Sequence, residues 1–249
     1  STPKPSSAAS DVYKRQSFIR SSQLLLKTVK LNTGCKALDN LIDKIETGKT
    51  YLFYGDEKVL EKLLYSLAVN ALLRLEKPVL VVTMRDYHDG ITFDTYDLGY
   101  TAVQYGLDPE YVLKSVYVAS VFNRRQAVNI KDLIAFIKSR GIKIVLVWAS
   151  TDLFEYEDYP KMIKFLGLLK QTLENDIALV FFSRKSRLSM GYPPKPDGPI
   201  FFKHFAGVIV YFRRSARDEK IVKIYLVKHP YKPLKNTTAF LDYHGLTDL

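Results

Sequence analysis

Short uninterrupted apolar runs alternate along this chain with longer stretches whose apolar residues recur every three or four positions. The runs at 51–54, 79–84, 116–119, 142–148 and 177–182 are rich in Val, Ile, Leu and Phe and lack polar alternation, so they read as strands covered on both faces. Helical spacing predicts helices over 58–75, 94–105, 109–114, 126–140 and 160–174. Strands separated by helices imply right-handed crossovers and a mostly parallel sheet. The rhythm then changes. Residues 207–213 and 221–227 flank the polar turn Arg214–Lys220 and read as a hairpin, and a short strand near 238–242 closes the chain. The fold class expected is α/β: a mostly parallel sheet flanked by helices, with a C-terminal antiparallel hairpin extension, in one domain over 31–249.

The junction between the first long strand and its helix carries the chemistry. A strand, a glycine turn and a helix form the frame of a phosphate-binding P-loop. Its G-x-x-x-x-G-K-[ST] sequence lets backbone N–H groups curl around phosphate oxygens while a lysine meets the outer phosphates. Here the turn reads Gly55-Asp-Glu-Lys-Val-Leu-Glu-Lys62. Only the first glycine is present, Val59 and Leu60 stand where small residues belong, and Lys58 and Lys62 are off the motif spacing. Asp56 is placed to cap the helix, with Glu57 and Glu61 in its first turns. Their carboxylates would take the donors and dipole a phosphate uses, and would repel a triphosphate. The turn is therefore expected not to bind ATP tightly, and no cofactor is expected. ATP and Mg²⁺ enter only on the alternative of a divergent site that uses Lys58 or Lys62 with a displaced acid.

Composition and charge narrow the class. The chain has 249 residues, 47% apolar and 25% charged, as a globular domain requires. Its apolar runs are too short to span a bilayer, and no charged-then-apolar signal segment opens it, so a cytoplasmic location and no membrane partner are expected. Cys35 is the single cysteine, which leaves no internal disulfide and fits a reducing compartment. No Cys/His cluster has metal-ligand spacing, so no metal is expected. The net charge of +11 is concentrated: residues 184–235 hold thirteen Lys/Arg against three Asp/Glu. Such asymmetry suits either a polyanion partner or a solvated basic face. Residues 1–16 are small, polar and Pro/Ser-rich and are expected to be disordered; Ser6–Gln16 resembles a translated sequencing adapter, which would make the segment non-native. Residues 17–30 read as a linker.

Several segments, in order, resemble the RecA/RadA recombinase family, and its archaeal RadA-like branch in particular. They are 31–48 (LNTGCKALDNLIDKIETG), 105–122 (YGLDPEYVLKSVYVASVF), 142–154 and 199–213 (PIFFKHFAGVIVYFR). The resemblance covers about 29–249 and implies a RecA-like core. It also implies nucleotide chemistry from which this chain departs. Where the family ends its second nucleotide strand in a Mg²⁺-holding aspartate, Trp148 follows Val147, and an indole offers no oxygen ligand. Asp152 comes four residues later, too far on to be expected in that role. At or next to the family's water-activating glutamate stands Arg85, with Asp86 and Asp89 as remote substitutes. Three parts of phosphoryl transfer are missing together, so no hydrolysis is expected.

The resemblance further implies a DNA-contacting loop after the strand at 177–182. Here that loop, 183–199, holds four prolines and two glycines and is expected to be irregular and mobile. Arg184, Lys185 and Arg187 could grip phosphates and Tyr192 could stack on a base, with Lys195, Lys203, His204, Arg213 and Arg214 extending the patch. The family's other DNA loop corresponds to the acidic stretch 154–160, which would repel a backbone. For assembly, Phe18 and Ser21 stand in the place of a Phe-x-x-Ala segment that docks into a neighbouring protomer. The stretch Lys228-His-Pro230-Tyr-Lys232-Pro resembles a cap that would cover a partner's triphosphate. The reading reached is a non-catalytic RadA-like paralogue: a nucleoid-associated accessory factor in homologous recombination and repair that binds single- or double-stranded DNA and a catalytic recombinase. The alternatives are a divergent DNA-dependent ATPase and a regulatory subunit without DNA contact.

Overall fold

The computed structural model describes residues 28–85, 93–171, 176–243 and 245–248. Its parallel core is built from the apolar runs. They form β3 (Thr50–Gly55), β4 (Val79–Met84), β5 (Val116–Val121), β6 (Ile144–Trp148) and β7 (Ala178–Ser183). Antiparallel strands follow: β8 (Val208–Arg214), β9 (Ile221–Lys228), β10 (Asn236–Asp242) and β11 (Gly245–Thr247). One nine-stranded sheet runs β11-β10-β9-β8-β3-β7-β6-β4-β5, parallel from β8 to β5 and antiparallel from β8 to β11. The α/β architecture with its C-terminal antiparallel extension is the one the sequence predicts. A small pair, β1 (Lys30–Leu31) with β2 (Ile45–Glu46), precedes it.

The helices divide between two faces because strand side chains alternate. Tyr51 and Phe53 of β3 face a core shared with α1 (Lys36–Ile42), α2 (Glu57–Leu75), α3 (Thr95–Gln104) and α4 (Pro109–Ser115). Leu52 and Tyr54 face the opposite core. That core is shared with α5 (Arg124–Ala127), α6 (Lys131–Ser139), α7 (Tyr159–Lys170) and α8 (Ile200–Phe205). Helix α2 is apolar around most of its circumference because the sheet lies on one side and α3 and β11 on the other. Val59 and Leu60 in its first turn are buried, each contributing about 1.5–3 kcal/mol.

Some boundaries differ from the periodicity. The helix expected over 126–140 is two helices. Asn123 caps α5 by accepting from the N–H groups of Arg125 and Gln126. The chain then re-enters at Ile130, which like Ile134 is buried, so the apolar spacing continues across a broken backbone. The helix expected to reach 174 ends at Lys170, with 172–175 outside the described residues. Helices α1 and α8 and strand β11 were not expected; each is short, spanning seven residues or fewer. No helix among the described residues is long and apolar enough to cross a membrane.

Candidate functional site: a closed nucleotide frame beside a basic aromatic face

Gly55 ends β3 at φ +134°, and a Cβ there would lie 2.0 Å from the carbonyl oxygen of Phe212 on β8. The turn is therefore pressed against the neighbouring strand, and the N–H of Asp56 donates to that same carbonyl at 3.0 Å. Asp56 then caps α2: its Oδ1 accepts from Val59 N at 3.4 Å, and its Oδ2 accepts from Arg214 Nε at 2.8 Å. Arg214 also pairs with Glu219 at 2.9 Å. The helix N-terminus is thus met by a carboxylate that is itself neutralised in cis.

Beneath the turn, at the carboxyl ends of β3, β4, β6 and β7, lies a row of alternating charges. Arg85, just beyond β4, pairs with Glu57 and, at 3.5 Å, with Asp152. Asp152 faces Arg184 at 3.3 Å, and Arg184 reaches Asp197 at 3.9 Å. The indole of Trp148 packs on Phe182 with ring centres 5.8 Å apart, and the Arg85 guanidinium lies 5.8 Å from the indole. Burial pushes the Asp152 carboxyl above its ordinary value, with Arg184 and Arg85 opposing the shift. The recess lined by Gly55, Glu57, Leu60, Arg85, Trp148 and Asp152 is about 20 Å³, room for one water. The carboxylates that line it, Asp152 and Glu57, and Asp56 at the turn all face guanidinium groups, so the residues present do not fit a Mg²⁺-nucleotide.

The two off-motif lysines part company. Lys62 turns away to pair with Asp97 of α3 at 3.1 Å and to lie over the Tyr243 ring, while Lys58 stays exposed near the turn. Glu61 is half-buried, and its carboxyl is raised by that burial and by Asp97.

The loop after β7 is tied to the sheet rather than loose. Ser186 N donates to Lys195 O at 2.8 Å, Asp197 N to Arg184 O at 2.9 Å, and the Tyr54 hydroxyl to Pro194 O at 2.7 Å. The loop carries no helix or strand, as expected, and these bonds with an isolated bridge between Lys185 and Pro196 fix its course. They set Tyr192 edge-on to Tyr225, ring centres 5.3 Å apart, with the Arg213 guanidinium 5.7 Å from the Tyr192 ring. Tyr54, Tyr211 and Tyr225 continue the cluster across β3, β8 and β9. Lys185, Arg187, Lys195, His204 and Arg213 are exposed. Lys203 is half-buried, and its ammonium is lowered by burial and then by Lys195. Of the basic residues picked out by sequence, Arg184 and Arg214 belong instead to the ion pairs around the turn. Tyr211, Lys223 and Tyr225 escaped the sequence reading, although they lie at two-residue spacing with Arg213 on facing hairpin strands.

The acidic stretch at 154–160 is partly neutralised from within. Asp158 pairs with Arg124 and Lys161, each at 2.8 Å, and Glu155 with Arg124 at 3.4 Å. The segment resembling a nucleotide cap folds inward. Lys228 Nζ donates to the carbonyls of Lys203 and Ala206 at 2.9 and 2.7 Å, closing the end of α8. Lys232 Nζ donates to Asn40 O at 2.8 Å, and Pro230 lies exposed between them. Both ammonium groups are therefore engaged within this chain rather than extended to a neighbour. Phe18, Ser21, Asp86 and Asp89 lie outside the described residues. Among the described residues, no group of three or more His, Cys, Asp or Glu is arranged to hold a metal ion.

No family model matches the chain. The DNA repair and recombination protein RadA of Aeropyrum pernix is similar to it, 27% identical over 237 residues that cover 88% of this chain and 73% of that protein. With similarity along most of its length and a mostly parallel sheet carrying a C-terminal antiparallel extension, the chain is a relative of the RecA/RadA family.

Proposed function

We propose that this chain is a non-catalytic RadA-like paralogue that assists recombination and DNA repair, binding DNA and a catalytic recombinase without hydrolysing nucleotide. The similarity to a DNA repair and recombination protein supports the process. The observation that carries the loss of catalysis is the ion-pair row Glu57–Arg85–Asp152–Arg184 under the turn. It occupies the region where phosphates and Mg²⁺ would be held, and it sets a guanidinium where an activating carboxylate would be needed. Weak DNA contact rests on Lys185, Arg187, Lys195, Lys203, His204 and Arg213, with Tyr192 as the stacking ring. Phe18 is the proposed anchor to a partner protomer, and association with the nucleoid follows from DNA contact.

Titration calorimetry with ATP and Mg²⁺ tests the reading. No saturable heat at micromolar protein is expected, and micromolar binding would favour a divergent ATPase. Binding to a recombinase with no salt-dependent affinity for DNA would favour a regulatory subunit instead.

A further inference from the structure

Residues 93–113 break with the rest of this basic chain. They hold four carboxylates, Asp94, Asp97, Asp108 and Glu110, and no lysine or arginine. They include α3 and most of α4, and they carry an aromatic ridge. Tyr96, Tyr100 and Val103 stand at i, i+4 and i+7 of α3, so they share one face of the helix. All three are exposed, Tyr96 by 88%. The other side of α3 is the covered one, with Leu98, Thr101 and Ala102 buried. A stripe at helical spacing that faces outward marks a contact surface.

Carboxylates bracket the ridge. Asp94 caps α3 at the end where Tyr96 stands. On one flank Gly99 meets the start of α4, where a Cβ on Gly99 would lie 3.7 Å from Pro109 Cβ, and Asp108 is the cap of that helix. On the other flank Asp97 pairs with Lys62, whose ammonium lies 5.5 Å from the centre of the Tyr243 ring, and Tyr243 stands edge-on to Tyr100 at 5.1 Å. The Lys62 contact shows in cis what this face receives: a cation held by a carboxylate and a tyrosine ring together. Glu110 pairs with Lys114. Asp94 and Asp108 take part in no ion pair among the described residues, so two negative charges stay uncompensated beside the tyrosines. Past Val103 the ridge ends at a cleft of about 430 Å³ lined by Gln104, Tyr105, Asp242 and Leu246 among others. The Gln104 amide is shielded from solvent, and neither its oxygen nor its nitrogen has a hydrogen-bond partner among the described residues. Such an orphan is costly, and a polar group entering the cleft relieves it once the amide turns toward it.

We propose that this face docks a helical segment of a partner protein that carries arginines one turn apart. Their guanidinium planes lie on Tyr96 and Tyr100 and pair with Asp94 and Asp108. An aliphatic residue covers Val103, and the end of the segment reaches the cleft at Gln104. Arginine is preferred to lysine because a planar fork stacks on a ring and pairs with a carboxylate at once. Two copies of this chain do not meet through this face alone, since acids would then oppose acids. The chain as a whole carries +11 and repels cations, so attraction of a basic helix is particular to this face. The inference goes beyond the accessory role proposed above and depends on neither DNA contact nor the loss of hydrolysis.

The test is a titration of the ¹⁵N-labelled full chain at low salt with the peptide GAARAAARAALAAQ, whose two arginines and leucine repeat the spacing of the ridge. A second peptide carries citrulline, the neutral isostere, at both arginines. The arginine peptide should shift amide signals of 94–113 and 242–247, and the citrulline peptide should bind at least about tenfold more weakly. The variant Tyr96→Ala/Tyr100→Ala should lose about five- to thirtyfold in affinity, while Tyr96→Phe, which keeps the ring, should bind as wild type does. Tyr100 packs on Tyr243, so if the double variant fails to fold, Tyr96→Ala alone must still lose about two- to fivefold. Equal binding of the two peptides, shifts confined to other segments such as 154–160, or no shift at millimolar peptide overturns the proposal. Concentration-dependent shifts at 94–113 without peptide, with a rise in mass that salt reverses, would make a second copy of this chain the occupant and overturn it as well.

Discussion

Replacing Arg85 by alanine isolates the ion row that closes the turn. Arg85 is mostly buried, and its removal loses its contacts with Glu57, Asp152 and the Trp148 ring. The pair with Glu57, whose side chain is 57% exposed, contributes no more than about 0.5 kcal/mol. Asp152 is 12% exposed, so its pair with Arg85 matters more. Stripping a buried carboxylate of its partner costs about 3–5 kcal/mol. Here Arg184 remains 3.3 Å away, which reduces the loss to about 1–1.5 kcal/mol. The guanidinium over Trp148 adds about 0.5 kcal/mol. The total is about 2 kcal/mol, equivalent to a fall in Tm of about 4–8 °C for a domain of this size. Urea unfolding followed by circular dichroism reads the loss as a lower midpoint at unchanged slope. Arg85→Met keeps the aliphatic stem on Trp148 and should lose only the ionic part. Arg85→Glu sets three carboxylates around one small cavity and should be worse than alanine, with no gain of ATP binding. An alanine variant within about 0.5 kcal/mol of wild type would show that the row is a surface ornament and not a structural closure.

Gly55→Ala should cost at least about 3 kcal/mol, since it combines an unfavourable φ with a clash against the Phe212 carbonyl; thermal unfolding within about 3 °C of wild type would refute this. Lys228→Met should cost about 1–3 kcal/mol and speed amide exchange over 202–207, because the carbonyls ending α8 lose their charged donor; unchanged exchange would mean that the lysine acts elsewhere. Glu61 has a raised carboxyl, so its contribution to stability is fully present below its unfolded pKa and is lost as pH rises through the folded one. Glu61→Gln should therefore gain stability over wild type at pH 7 and show little difference near pH 4. An equal difference at both pH values would contradict the assignment.

The strands of the parallel core were legible because burial on both faces leaves continuous apolar runs, as in Val79–Met84 and Ala178–Ser183. The helix break at 128–130 was not, because Ala127, Ile130, Ile134 and Ile137 keep a helical spacing through it. The turn after β3 could be read as filled, since Val59 and Leu60 declare their bulk and Asp56 its capping role. What filled the rest could not. Arg85, Asp152 and Arg184 come from three different strand ends, and only the sheet order brings them together. Local sequence likewise suggested that Arg184 and Arg214 were free for phosphate, because the acids that take them, Asp152 and Asp56, lie 32 and 158 positions away. The tyrosine and basic rungs were visible in principle as two-residue alternation in Tyr211–Arg213 and Lys223–Tyr225, but the register that aligns them is set by the hairpin.

The closure of the turn and the basic face are built from the same segments, which constrains how either could change. Arg214 reaches back from β8 to Asp56, and Arg184 from the loop after β7 to Asp152. Asp56 and Asp152 thus each draw in a cation from the stretch that carries the chain's positive excess. A phosphate entering the turn would have to displace Asp56 and Asp152 from these arginines, leaving the carboxylates uncompensated beside it. Reopening the frame therefore needs more than restoring a glycine and a lysine: both acids must go, and the two arginines must find new partners. The neighbours they leave unpaired in the present arrangement, Lys185, Arg213 and Lys223, face outward with no carboxylate within ion-pair distance among the described residues. A turn neutralised from within, rather than by a bound nucleotide, holds that outward charge in place whether or not nucleotide is present.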